Sequence, residues 1–309
     1  MPQGSHLGPL LFILFINDVN GQLKIAMILI YADDIKLFLR VDTFYNQILL
    51  QKDLETIAEW SAHNRLVLNC EKCKVLSFGR SEKNKLTYKY TLDGIELESV
   101  ERMKDLGVIF DRKFTFDEHI SKVTNKALST LGFIKRSTKE FTDTQSVISL
   151  YKSLVLPILL HGSVIWSPHY DVHMKKLESF QHRLLKYLAF KSGTPMSFID
   201  HDYSRLASEF NLPSILSLHA KNDHLFLKKI NLNLINSADV KNLFEVRNIN
   251  YWLRYPRELA EQSSPRNYVF HSSVNRLTRN WNKLPLNVRT AGNLAYYKRV
   301  LYPVIFSYL

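Results

Sequence analysis

Residues 25–41 read IAMILIYADDIKLFLRV, and this stretch decides the fold. Ile25 to Tyr31 form an unbroken apolar run, the pattern of a strand covered on both faces. After Ala32-Asp33-Asp34 the pattern changes: Ile35, Leu37, Leu39 and Val41 alternate with Lys36 and Arg40, a strand with one wetter face. The two runs therefore predict a hairpin carrying two carboxylates at its tip. Aspartate favours turns for local reasons, so a lone Asp-Asp pair needs no chemistry. Here, however, apolar strands hold two mutually repelling carboxylates rigidly above a buried sheet. A divalent cation would offset that repulsion, and Mg²⁺ suits carboxylates combined with water and substrate phosphates.

Working outward, PLLFILFINDV at 9–19 predicts a buried helix with Pro9 in its first turn. A second helix is expected over about 45–64, with Leu50, Leu54, Ile57, Ala58 and Ser61 at helical spacing. LNCEKCKVLSFG reads as loop then strand, KYTLDGIEL as a hairpin turning on Asp93-Gly94, and MKDLGVIFDRKFTF as another hairpin. Helices then take over. Thr115 with Glu118 and Thr142 with Gln145 have capping-box spacing. Ile120, Val123, Ala127, Leu131 and Ile134 share one face, and Pro157 should kink or end the next helix. Pro168 opens a third, with Leu177, Phe180, Leu184 and Leu188 inward. Residues 192–205 and 236–250 read as linkers.

With 309 residues and 46% apolar composition, the chain can bury a sizeable core. Its net charge of +12 is uneven. Through Phe78 there are 7 basic against 8 acidic residues, and the remaining 231 residues carry 34 against 21. Basic excess mixed with Tyr, Phe and Trp is a nucleic-acid footprint, with Lys176, Arg183 and Lys186 on one helix face as expected phosphate contacts. Two cysteines, Cys70 and Cys73, suit a reducing compartment, so an intracellular location (cytoplasm or nucleus) is expected. They fall short of the four ligands of structural zinc, and no zinc is expected. His119, His182 and His219 read as surface or helix-face residues. Gly8–Asn17 is too short to cross a bilayer, and no membrane partner is expected.

YADD at 31–34, between two apolar strands, resembles the catalytic hairpin of reverse transcriptases, and PQGSHLGPLLF at 2–12 is similar to the palm motif before it. LVLNCEKCKVLSF resembles the following segment and MKDLGVIFD the primer-grip hairpin. KALSTLGFIKRS and LYKSLVLPILLHGSVIW look like the helical thumb of non-LTR retrotransposon polymerases, Jockey-like ones in particular. NRLTRNWNKLP is similar to their C-terminal segments. The resemblance runs over nearly the whole chain and implies two-metal nucleotidyl transfer with Mg²⁺. It casts Asp33 and Asp34 as metal-binding catalytic residues, with Tyr31 beside the primer terminus at the nucleotide site. Gln3 and Gly4 would line the incoming-nucleotide pocket, Lys72 would protonate the departing pyrophosphate, and Leu106 with Gly107 would grip the primer. The partners implied are an RNA template, a DNA primer and deoxynucleoside triphosphates.

The expected class is α+β: a partial palm of antiparallel hairpins and helices with the primer-grip hairpin at 1–114, a helical thumb at 115–191, and a basic helical or irregular tail at 192–309. In the family a third carboxylate and the fingers precede the Pro-Gln-Gly motif, and this sequence holds neither. Asp18 falls at a helix end where the family also has Asn-Asp. The expectation is a polymerase fragment inactive alone, its two-metal site incomplete. The alternative is a non-catalytic, nucleic-acid-binding remnant of such an element.

Overall fold

The computed structural model describes residues 4–80, 88–194, 203–246, 258–263 and 266–306. It is a mixed α+β chain of helices and small hairpins in two compact units. One runs to Asp105 and includes Ile109–Thr115; the other joins Leu106–Val108 to Phe116 onward. Each is described by itself.

The first unit opens with α1 (Leu7–Ile16), a 3₁₀ turn (Asn17–Gln22) and the hairpin β1 (Met27–Tyr31) and β2 (Asp34–Phe38). Helix α2 (Phe44–His63) follows, then β3 (Lys74–Leu76), β4 (Thr91–Leu92), β5 (Ile95–Glu96), β6 (Glu98–Val100), β7 (Arg102–Asp105) and β8 (Val108–Asp111). The strands pair in twos: β1 with β2, β4 with β5 and β7 with β8 as hairpins, and β3 with β6 in parallel. Period-two alternation sends Ile28, Ile30, Ile35 and Leu37 to one face of the first hairpin. There they pack on Ile16, Val19, Ile57 and Trp60. Burial of Ile16, Val19 and Ile57 contributes roughly 1.5–3 kcal/mol each, and the half-buried hairpin side chains contribute less. The other face, Met27, Leu29 and Tyr31, is exposed, so β1 is covered on one side rather than two. Helix α1 likewise buries only Ile16 completely, and Leu14 is 66% exposed. An all-apolar helix has no polar side to turn outward, and α2 with one hairpin covers only a single flank of it.

Helix α2 carries the unit. Thr43 and Asn46 cap it reciprocally, each side chain accepting from the other's backbone N–H. On its inner face Asp53, 1% exposed, accepts three backbone N–H groups: Lys24 at 3.1 Å, Ile25 at 3.1 Å and Ala26 at 2.7 Å. Two residues earlier, on another side of the helix, Gln51 pairs with both backbone groups of Thr91 and so holds β4. Trp60 donates its indole N–H to Asp18, which gives that aspartate a structural partner.

The second unit is helical. It contains α3 (Asp117–Ser137), α4 (Thr144–Leu150), α5 (Leu156–Leu160), α6 (Ser163–Trp166) and α7 (Asp171–Lys191). Then come α8 (Tyr203–Glu209), α9 (Ile215–Asn231), α10 (Ala238–Asn242), α11 (Asn267–Phe270), α12 (Ser273–Lys283), α13 (Leu286–Arg289) and α14 (Leu294–Phe306). Ile120, Ala127, Leu131 and Ile134 of α3 and Leu177, Phe180, Leu184 and Leu188 of α7 are buried, as their spacing requires. The predicted caps sit differently. Thr115 bonds Asp111 while Phe116, at φ 60°, stands before α3. Asp143, not Thr142, caps α4, because its carboxylate accepts both Gln145 and Ser146 N–H. A π-helical turn, Tyr151–Val155, precedes Pro157 and absorbs the expected kink.

The later helices bury Leu227, Ile230, Leu277, Trp281, Tyr297 and Leu301 together. They are tied back to α7 by Glu178, which accepts Leu216 N–H, and by Gln181, which donates to Leu212 and Pro213 carbonyls. His119 and His219 are buried rather than surface-lying. Their rings pack edge-on against Trp166 at 5.0 and 4.9 Å. His219 Nε2–H donates to the Leu159 carbonyl, so its Nδ1 accepts from the Ser167 hydroxyl and the ring is neutral.

Two tests follow from these contacts. Asp53→Ala orphans three N–H groups and should destabilise the first unit by roughly 3 kcal/mol. Hydrogen exchange at β1 and β2 should accelerate while α7 keeps its protection; unchanged exchange at the hairpin would contradict the role assigned to Asp53. Acid should weaken the second unit. Burial lowers both His219 and His224 to about 4, so the unfolded chain binds more protons below its ordinary histidine pKa near 6.5. Stability present above that value is lost as pH falls toward 4, roughly 2 kcal/mol per histidine by pH 5. Urea midpoints that stay level between pH 7 and pH 5 would rule this out.

Candidate active site

The two aspartates sit where turn chemistry and strand register place them. Tyr31 pairs with Asp34 as the last rung of the β1–β2 ladder, leaving Ala32 and Asp33 as a two-residue loop. Ala32 takes φ 51°, a left-handed conformation that costs a non-glycine residue roughly 1–2 kcal/mol. Strain of this kind persists only where the surroundings enforce it. Here the enforcement comes from the packed strands and from Asp53 behind them. Both carboxylates are exposed, and neither has a hydrogen-bond or ion-pair partner among the described residues.

Register also decides what shares their surface. Tyr31 with Asp34, Leu29 with Lys36, and Met27 with Phe38 are directly opposite pairs on the exposed face. Lys36 is not free there: its ammonium meets Asp105 Oδ1 at 2.5 Å. That ion pair ties the carboxylate hairpin to the end of β7, next to Leu106. Nothing in the local pattern of either segment pairs these residues, which lie 69 positions apart. In the sequence Lys36 is one of two basic residues on the wetter face of its strand, and nothing there names its partner.

The other expected site residues are placed as follows. Gly4 sits at φ +87°, with open space where a Cβ would stand, and Gln3 lies outside the described residues. Lys72 ends a 3₁₀ turn, Cys70–Lys72, capped by Asn69, and its exposed ammonium contacts neither aspartate. Cys70 and Cys73 are free thiols. Leu106 and Gly107 form the two-residue tip of the β7–β8 hairpin, both left-handed at φ 42° and 91°.

On α7, Lys176 turns inward and donates to Ser121 Oγ at 3.0 Å. Arg183 and Lys186 are exposed, with Lys186 over the Tyr203 ring. The solvent stripe of that helix is Lys175, Ser179, Arg183, Lys186 and Phe190, and α3 presents Lys122, Lys126, Phe133 and Arg136. Phe133 is 56% and Phe190 73% exposed. Cations flanking bare aromatic rings offer both phosphate and base-stacking contacts.

Two carboxylates side by side, unpartnered and open to water, fit a magnesium ion that completes its shell with water and phosphate oxygens. Among the described residues no group of three or more His, Cys, Asp or Glu could hold a metal ion. None of the described helices is long and apolar enough to cross a membrane.

Residues 1–143 match the family described as reverse transcriptase (RNA-dependent DNA polymerase). Curated relatives agree. The RNA-directed DNA polymerase from mobile element jockey of Drosophila funebris is 25% identical over 206 residues, 63% of this chain and 22% of that protein. The probable RNA-directed DNA polymerase from transposon BS of Drosophila melanogaster is 27% identical over 60% of this chain and 22% of its own length. The jockey polymerase of Drosophila melanogaster is 24% identical over 66% and 23%. The chain thus spans about a fifth of the length of these relatives. No solved structure matches it. Through residues 1–143 the chain is similar to the reverse transcriptase family, and over about two thirds of its length it resembles the polymerases of jockey and related mobile elements.

Proposed function

We propose that this chain supplies the metal-binding palm hairpin, primer grip and thumb of an RNA-directed DNA polymerase. The observation that carries this reading is the unpartnered Asp33–Asp34 pair, held at a strained, well-anchored hairpin tip inside the matched segment. In this reading residues 1–114 are the palm, 115–191 the thumb and 192–309 a tail packed on it. Asp33 and Asp34 would hold Mg²⁺, which would supply charge stabilisation at a primer 3′ oxygen and a leaving pyrophosphate. Tyr31, on the Asp34 face, packs beside the primer terminus. Leu106 and Gly107 contact the primer backbone, and Gly4 leaves the backbone open to an incoming nucleotide. Lys72, exposed and without an ion pair among the described residues, would donate a proton to the leaving pyrophosphate. RNA template and DNA primer run along the basic, aromatic stripes of α3 and α7; among the described residues the donor set is these two aspartates, so no polymerase activity is expected of the chain by itself.

Mn²⁺, standing in for Mg²⁺, should broaden the backbone resonances of residues 31–36, and Asp33→Asn with Asp34→Asn should abolish the effect. Broadening that survives both substitutions would place the metal elsewhere. The chain alone should not extend a primer on a homopolymer template; extension lost with Asp33→Ala would show that the site is complete as it stands. Duplex binding should weaken steeply with salt. Arg183→Gln and Lys186→Gln should each lower the log–log slope by about one unit, since each removed phosphate contact releases one counterion fewer. Lys176→Gln, already engaged by Ser121, should lower it less. Affinity indifferent to salt would remove the α7 stripe from the interface.

A further inference from the structure

The tip Leu106–Gly107–Val108 and the corner His161–Gly162, between α5 and α6, are fitted into each other. A Cβ on Gly107 would stand 2.8 Å from His161 Nε2 and 3.2 Å from its Cδ2. A Cβ on Gly162 would stand 2.8 Å from Val108 Cγ2. Each segment thus offers a glycine, left-handed at φ +91° and +65°, and each lays a side chain onto the other's. His161 Nε2–H also donates to the Leu106 carbonyl at 2.8 Å. Leu106 itself is left-handed, a conformation unfavourable for its branched side chain, so the tip needs a hold from outside.

The corner is built to give that hold. Trp166 Nε1–H donates to the His161 carbonyl at 2.7 Å, and Trp166 is wedged between the rings of His119 and His219. Beneath it Arg276 of α12 donates to the carbonyls of Val164 and Ser167 and pairs with buried Asp223 of α9 at 3.0 Å. Asn222 and Ser273 bond Ser163 and the Ile165 carbonyl. A segment pinned by four side chains from the tail helices is a fixed wall, not a mobile loop.

We propose that His161 is a positioning residue for the primer contact. Its imidazole N–H and ring face, together with the Gly162–Val108 contact, set where Leu106 and Gly107 stand. The inference rests on the reading of that tip as the primer grip. It adds that the helical unit, braced by the tail, determines the tip's position.

The test uses the full 309-residue chain with two readouts. One is hydrogen exchange at residues 106–109. The other is the preference for a primer–template with a recessed 3′ end over a blunt duplex of equal length. Gly162→Ala and His161→Ala should each speed exchange at the tip by about tenfold or more, with α12 unchanged, and should erode the recessed-end preference severalfold. His161→Gln, whose amide N–H can reach the Leu106 carbonyl, should retain both. Val108→Ala should restore part of the protection lost in Gly162→Ala by removing the methyl its new Cβ meets. Unchanged tip exchange in both Gly162→Ala and His161→Ala overturns the proposal, as does the absence of any rescue by Val108→Ala. Should Gly162→Ala not fold, the His161→Ala and His161→Gln pair decides. A loosened tip with an intact recessed-end preference supports the lock and overturns the primer-grip reading instead.

Discussion

Three backbone N–H groups converging on one buried carboxylate, Asp53, anchor the segment that leads into the first strand. A charge in an apolar interior is tolerable only when it is fully hydrogen-bonded, and an N–H there needs an acceptor just as badly. Meeting both needs at once leaves residues 24–26 little freedom. The strand that follows must then start at Met27 with Ile28 and Ile30 inward, because a slip of one residue would turn every side chain to the opposite face. The tip carrying Asp33 and Asp34, and the ion pair from Lys36 to Asp105, inherit that register. The placement of the candidate metal ligands therefore depends on a helix that contributes no residue to the metal.

What could be read along the chain was mostly local. Asp93-Gly94 and Ala32-Asp33-Asp34 were visible as turns because turn geometry is written in a few adjacent residues, although Asp34 proves to be the first residue of β2. The faces of α3 and α7 followed from spacing alone. Asp53 was not visible, since an acidic residue in an amphipathic helix looks the same whether it faces water or three buried amides. The Lys36–Asp105 pair was invisible for a related reason: it joins two segments that share no local pattern. Burial of β1 on both faces was over-read from apolar content, which records what a strand tolerates rather than what covers it. The caps of α3 and α4 slipped by one residue because Thr, Asp and an adjacent acidic turn compete for the same N–H groups.

The tail segment NRLTRNWNKLP resembled a family feature without an evident task, and its contacts now supply one. Arg276 forks onto Asp223 and two carbonyls of the α6 region, Asn280 adds a bond to Asp223, and Trp281 is fully buried. Burial pushes the Asp223 carboxyl above its ordinary pKa, while the guanidinium and the Asn280 amide pull it back down. The pair gives direction more than net stability, because desolvating both charges consumes most of their attraction. Its yield is a defined angle between α9, α12 and the His161–Trp166 corner.

The π-helical turn at Tyr151–Val155 acquires a meaning from that corner. One residue beyond α-helical count shifts the phase of everything downstream by about 100° around the helix axis. Helix α5 carries His161 at its end, so the extra residue acts as an indexing step that faces the imidazole toward Leu106. Without it the same side chains would leave the helix on another bearing, with an identical composition and an equally apolar face. In genetic terms, a single in-frame codon lost from this helix would turn the His161–Gly162 corner away from the Leu106–Val108 tip that it meets.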